Sequence, residues 1–536
     1  LATDTPQRRW QALCPNCGAP VEFASAASSS AVCGFCKSSL LRDGEALRKI
    51  GHSADLIEDY SPLQLGASGR YAGAAFTVVG RVQLSYAEGS WNEWHVLFEG
   101  GPDGFKSGWL AEDNGSFVLG FEAPLTEQAP QSHELVLGER RIVGGQGWSV
   151  AALTLTTLAA AEGELPHAPA LGKKYLVAEL RNDKSEVGSL EYNGPRENDP
   201  PQWSVGRAVR IADLAMSGLR QDSSKSLASR ALPCPNCGAS LEPKLGSTQS
   251  IVCGQCRSVV DISQGAGAEL KAYEQENGLE PLIPLGRTGQ FALLTGGATL
   301  PWQVVGYQER CDLPQAGDDD EQTFWREYLL YNKAEGFIFL VDTEDGWSVV
   351  RPLTGAPQGG GADVKWQGKP FRRKYGYLAK TTYVLGEFYW QVKRGERVQV
   401  VDYDGTGKAG GELLSREQAG QEVTWSHGRK VDAAEVAKAF KLAPERAAAL
   451  KRDSSSLSGG SIVRTLVIVA VVIIVLLILM RACSGDDCQA YKDSYGETSA
   501  EYQQCRRSSG GGRIYPSGGS YSGGSFGGSG GGGGHK

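Results

Sequence analysis

The hexapeptide CPNCGA stands at Cys14–Ala19 and again at Cys234–Ala239. Each copy opens a cysteine quartet with one spacing: Cys14-x2-Cys17-x15-Cys33-x2-Cys36 and Cys234-x2-Cys237-x15-Cys253-x2-Cys256. Two cysteines separated by two residues can turn their sulfurs to one point on a tight knuckle. The long spacer leaves room for a hairpin that brings two knuckles together. This is the pattern of a four-cysteine zinc ribbon, and it predicts two zinc ions per chain. Gly18 and Gly238 follow the second sulfur, where a positive φ is often needed. Lys37 and Arg257 follow the last sulfur and offset the negative charge of four thiolates. Four protein ligands leave no position for water, so the expected sites are structural. A disulfide pair, a redox CxxC and an iron centre are the competing readings. Two complete sets of identical spacing favour zinc, and with it a reducing compartment.

The repeat extends beyond the cysteines. FTVVG at Phe76–Gly80 resembles WQVVG at Trp302–Gly306, and WNEWHVLF at Trp91–Phe98 resembles FWREYLLY at Phe324–Tyr331. GWL at Gly108–Leu110 pairs with GFI at Gly336–Ile338, and EGE at Glu162–Glu164 with LGE at Leu385–Glu387. WSVGR at Trp203–Arg207 pairs with WSHGR at Trp425–Arg429. The order is kept, so the chain is an internal duplication of a ribbon plus a second domain. Alternating apolar residues such as Trp94, Val96 and Phe98 make that domain β-rich, a sandwich or a barrel with its aromatics in the core.

Ribbons of this type, each followed by a VVG, a later GE and a WS.G, resemble the bacterial domain of unknown function family 4178. The likeness covers most of 61–210 and 284–430. It implies a bacterial source and an uncharacterised β module, with no activity and no catalytic residues to carry over.

The expected order is ribbon (10–45), β domain (58–219), linker (220–231), ribbon (232–265), β domain (280–430), juxtamembrane helix (431–453), transmembrane helix (462–480) and disordered tail (481–536). In Ile462–Met480 fifteen residues are Leu, Ile or Val. At ~1.5 Å per residue the run spans roughly 28 Å, close to the apolar thickness of a bilayer. Arg446, Lys451, Arg452 and Arg464 crowd its N-terminal side, which places the large N-terminal region in the cytoplasm of a bacterial inner membrane. The segment Val431–Asp453 reads as a helix broken near Pro444, lying on anionic lipid or in solvent. The tail is Gly/Ser-rich, and an exported tail would let Cys488 pair with Cys505. Leu1–Gln11 has no apolar run, so no signal peptide is read there.

A formal charge of −7 speaks against a general nucleic-acid binder. No nucleotide-binding loop, nucleophile elbow or HExxH is present. In the alignment above His95 meets Tyr328, so no histidine site is shared, while Glu93 meets Arg326 and Trp94 meets Glu327, which leaves the shift between the copies open. Only Glu164 and Glu387 recur as acids, and they read most simply as strand-end residues. KPFRRKYGY at Lys369–Tyr377 is basic and aromatic, suited to an anionic partner or to a charged strand edge. The sequence therefore predicts a mainly β, membrane-tethered interaction or scaffold protein with an unidentified protein partner and no assigned catalytic residue. The alternatives are an enzyme with a β-domain cleft and a nucleic-acid or anionic-lipid binder.

Overall fold

The computed structural model describes the chain from Trp10 to Lys451, apart from short segments of which the longest are 53–60, 221–231, 263–270 and 314–321. Beyond that stretch it describes only 492–494 and 496–508. After the first quartet come β1 (Ala74–Tyr86), β2 (Gly89–Glu99), β3 (Phe105–Asp113) and β4 (Ser116–Glu122). Then follow β5 (Gln146–Leu165), β6 (Lys174–Arg181), β7 (Glu186–Glu191) and β8 (Gln202–Val209). The second quartet precedes β9 (Thr299–Leu313), β10 (Phe324–Asn332), β11 (Gly336–Thr343) and β12 (Gly346–Leu353). These lead to β13 (Lys369–Phe388), β14 (Arg397–Gly405), β15 (Glu412–Ala419) and β16 (Glu422–Val431).

Each set of eight consists of two four-stranded antiparallel meanders joined along both edges. In the first copy β1–β4 pair in succession, β5–β8 do the same, and the ring closes through β1–β5 and β4–β8. The second copy repeats this order and closes through β9–β13 and β12–β16. Closure pairs the edges that open meanders would leave bare.

The repeated glycines lie at the seams. Gly80 stands opposite Gly163, and Gly306 opposite Gly386. A Cβ on Gly80 would lie 1.9 Å from the Glu164 carbonyl oxygen, so no side chain fits. Gly163 and Gly386 have φ of +71° and +90°, which glycine adopts without a Cβ penalty. At the other seam a Cβ on Gly428 would lie 1.9 Å from the Val349 carbonyl oxygen. The VVG, GE and WS.G repeats thus mark ring closure.

Hydrogen-bond register corrects the expected alignment of the copies. Gly80 pairs with His95 and Gly306 with Leu329. Trp91-Asn92-Glu93 therefore corresponds to Trp325-Arg326-Glu327, and His95 to Leu329. On the next strand Trp109 corresponds to Phe339, so Gly108 matches Ile338 rather than Gly336. The error arose because both octets carry aromatics at similar intervals, whereas the seam glycines set the register.

In the second copy Trp325, Leu329, Phe339, Val341, Val398 and Val400 pack inside the ring. Tyr328, Leu330, Ile338 and Leu340 pack on its outer face, against Val436, Ala439 and Phe440 of α1 (Ala433–Phe440). The chain turns at Lys441, which has φ +50°, and Pro444 opens α2 (Pro444–Ala449). Trp347 Nε1 donates to the Leu450 carbonyl oxygen at 3.0 Å. The segment expected on lipid or in solvent thus commits its apolar face to the second barrel. In the first copy Leu214, on a short 3-10 turn, packs on the corresponding outer face.

Each ribbon adds a strand to its barrel. Ser30–Val32 pairs with Gly163–Leu165 at the end of β5, and Ser250–Ile251 with Glu387–Phe388 at the end of β13. The barrels also touch each other: Leu153 N donates to the Gln421 carbonyl oxygen at 3.0 Å, and Ala356 N to that of Asn182 at 3.0 Å. Ile462–Met480, Cys483, Cys488 and the Gly/Ser-rich end lie outside the described residues, and the expected Cys488–Cys505 pairing falls there with Cys488. Among the described residues no helix is long and apolar enough to cross a membrane.

Candidate metal centres and barrel interiors

Within each quartet all four sulfurs lie within 4.8 Å of one another. Cys14 and Cys36, Cys17 and Cys33, Cys234 and Cys256, and Cys237 and Cys253 each stand 3.7 Å apart, sulfur to sulfur. Thiolates about 2.3 Å from one tetrahedral ion are about 3.8 Å apart, whereas a disulfide brings sulfurs to about 2.05 Å. The geometry fits one shared ion per quartet. Gly18 and Gly238 both have φ +75°, as the knuckle requires, and Lys37 and Arg257 take φ of +54° and +58°. The Ser38 hydroxyl holds the Cys36 thiol down at about 5 and the Ser258 hydroxyl holds Cys256 at about 6, whereas the neighbouring sulfurs and burial push Cys17 and Cys237 up to about 12. Each group can hold a metal ion, and four sulfur donors suit zinc or iron.

The recurring Glu387 does not face a cleft. Its Oε2 accepts from Lys244 N at 2.9 Å, Leu245 N at 3.2 Å and Thr248 Oγ1 at 2.8 Å, clamping the second ribbon to the barrel. Glu164 is its buried counterpart in the first copy.

Register reveals two acids that the copies share inside the rings. Glu93 corresponds to Glu327. Trp203-Ser204 corresponds to Trp425-Ser426, and the strands opposite then match Glu191 with Glu417. In the second barrel Arg310 Nη1 lies 3.1 Å from Glu327 Oε1 and 2.8 Å from Glu417 Oε1. Trp325 Nε1 and Gln308 Nε2 donate to Glu327 at 2.7 and 2.5 Å. All three charged groups are buried. Burial pushes the Glu327 carboxyl up, and the Arg310 guanidinium opposes it. Nearby, Asp402 is pushed up to about 7 by burial and accepts from Tyr377 at 2.9 Å.

The first barrel repeats part of this. Trp91 Nε1 donates to Glu93 Oε1 at 3.0 Å, matching Trp325 and Glu327. Glu191 is pushed up to about 8 by burial and by the negative charges of Glu93 and Glu122. Both glutamates are half-buried. His95 is pulled down to about 4 by burial, so it stays neutral, and its Nε2 meets Ser107 Oγ at 2.7 Å.

The remaining candidates are structural. Cys311 is buried, with Gln322 Nε2 3.1 Å from its sulfur. His427 Nε2 meets Glu412 Oε2 at 2.9 Å. In the basic run Arg372 pairs with Asp363 and Lys374 with Asp345, so the run is not a continuous free basic face.

A family model described as Domain of unknown function (DUF4178) matches residues 64–210 and 298–433, more than half of the chain. The chain belongs to this family. No curated protein and no solved structure matches it. The two DUF4178 matches coincide with the two rings, each preceded by a cysteine quartet. The seam glycines and both lumen acids of each copy fall inside the matched residues.

Proposed function

We propose that this DUF4178 protein is a membrane-tethered interaction scaffold with two structural zinc ribbons. One observation carries the scaffold reading. Leu13 and Phe35, beside the metal knuckles of the first ribbon, are 69% and 77% exposed. Two large apolar side chains flanking one rigid metal site form a surface suited to a protein partner. The second ribbon has Pro233 and Gln255 at these positions, so the two ribbons are not equivalent as contact surfaces. Closed four-sulfur ligation supports a structural ion, and zinc is the metal that most often takes it.

In this reading Ile462–Met480 anchors the chain in the bacterial inner membrane. The ribbons and barrels lie in the cytoplasm and the short tail outside. The apolar run and the basic residues before it support that orientation. Fractionation of cells carrying the full chain and a chain ending at Lys451 tests it. Carbonate-resistant membrane association of the first and solubility of the second are expected. A full chain that is soluble without detergent refutes the anchor. For the scaffold role, Leu13→Ser with Phe35→Ser should abolish co-purification of a partner while leaving metal content unchanged.

A further inference from the structure

Among the described residues Arg373 is the one member of the basic run without an acidic partner. Arg373 stands on the wall of a cavity of about 270 Å³ between the two barrels. Arg181, Arg416, Tyr403, Trp425 and Gly359–Gly361 line the same cavity. Among the described residues no aspartate or glutamate lines it. Arg181 is engaged by Glu179 and by the Leu353 carbonyl oxygen. Among the described residues Arg416 Nη2 donates only to the neutral Gln418 Oε1, at 3.1 Å. Two guanidiniums without a carboxylate thus share a concave site in a chain whose net charge is −7.

The duplication shows that this is not what the fold requires. A bulge falls at one place in both copies, between Val150 and Ala152 and between Arg373 and Tyr375. Arg373 therefore corresponds to Val150. The strand opposite matches Arg416 with Leu190, next to the matched Glu191 and Glu417. In the first copy Val150 and Leu190 pack with Trp203 in a buried apolar cluster. In the second copy the matching tryptophan, Trp425, has two arginines in their place. Partial burial holds the Arg416 guanidinium below its usual range, because no carboxylate compensates its lost hydration. A bound anion would supply that compensation, and the planar guanidinium fork matches phosphate oxygens in pairs.

We propose that the cleft between the barrels binds a phosphate monoester, with Arg373 and Arg416 holding the phosphate and the Tyr403–Trp425 side receiving a flat apolar group. The phosphate belongs either to a free small molecule or to the headgroup of a lipid. The cleft does not depend on the metal sites or on the membrane anchor.

Titration of the purified full chain in detergent micelles tests this, with phenyl phosphate as the soluble probe and inorganic phosphate beside it. Vesicles of phosphatidylcholine with and without phosphatidic acid form the lipid arm, using chain reconstituted in nanodiscs. Saturable binding of phenyl phosphate is expected, tighter than inorganic phosphate, and weakened at least tenfold by Arg416→Gln and by Arg373→Gln. Arg373 is exposed, so its variant keeps the fold even where Arg416→Gln does not. Variant-sensitive binding to phosphatidic acid vesicles alone assigns the phosphate to a lipid. Absence of saturable binding in both arms, or binding that Arg373→Gln leaves unchanged, overturns the proposal.

Discussion

Leu84 fills in the first barrel the place that Arg310 fills in the second. Leu84 pairs with Trp91 across β1 and β2, and Arg310 with Trp325 across β9 and β10. Both barrels keep the two glutamates, yet among the described residues only the second supplies a cation. One duplicated frame thus carries a charge-paired triad in one copy and, among the described residues, an acid pair with no cation beside it in the other.

Removing that cation should be costly. Arg310→Leu leaves Glu327 and Glu417 buried and without a counter-charge, with an expected loss of about 3–5 kcal/mol in the second barrel. Chemical denaturation followed by tryptophan fluorescence measures it. Adding Glu327→Gln and Glu417→Gln to the variant should recover most of the loss, because the neutral amides need no cation. No recovery would mean that Arg310 acts through packing on Trp325.

The first barrel predicts a pH effect of defined sign. Glu191 has its folded pKa raised from 4.5 to about 8, so the folded state holds a proton that the unfolded chain releases. Its contribution to stability is greatest below the unfolded pKa and declines as pH rises from about 4.5 to 8. Glu93 and Glu122 face it with like charge and Tyr175 lies close by, so none of them reverses the sign. Glu191→Gln should change the melting temperature little at pH 5 and raise it at pH 8.5. An identical pH profile in wild type and variant would show that Glu191 titrates normally.

Metal content gives a direct count. The intact chain should carry about two zinc ions, and Cys234→Ser about one, by elemental analysis of protein prepared without added metal. Iron in place of zinc, or none, contradicts the assignment of the ribbons.

The clamp on the second ribbon is separately testable. Glu387→Ala removes an acceptor used by Lys244 N, Leu245 N and Thr248 Oγ1. A loss of about 1–3 kcal/mol is expected, concentrated in ribbon docking. Hydrogen exchange should quicken across 248–253 while β14 and β15 keep their protection. Uniform loss across the barrel would mean that Glu387 supports the ring itself.

Much of the architecture was legible in residue spacing. The cysteine quartets and the duplication could be read because each depends on residues close in sequence. The lumen acids were missed for a specific reason. Similarity of the aromatic octets set Glu93 against Arg326, whereas the Gly80–Gly163 and Gly306–Gly386 seams fix the register. Glu191 and Glu417 share only Ser-x-Glu, from Ser189 and Ser415, a word too short to align the copies. The arginine cleft left no local signal, because Arg373 and Arg416 are 43 residues apart in numbering and meet Arg181 from the other copy. Packing of α1 was foreshadowed by Val436, Ala439 and Phe440 at helical spacing, which outweighs the basic residues around them.

Ser30–Val32 covers the last turn of pairing on β5, and Ser250–Ile251 does the same on β13. A ribbon that loses its ion loses the knuckles that hold this cover in place. Gly163–Leu165 and Glu387–Phe388 would then present open backbone donors and acceptors, ready to template a neighbouring chain. Metal starvation would on that account appear first as self-association of intact barrels, before any melting of the barrels themselves.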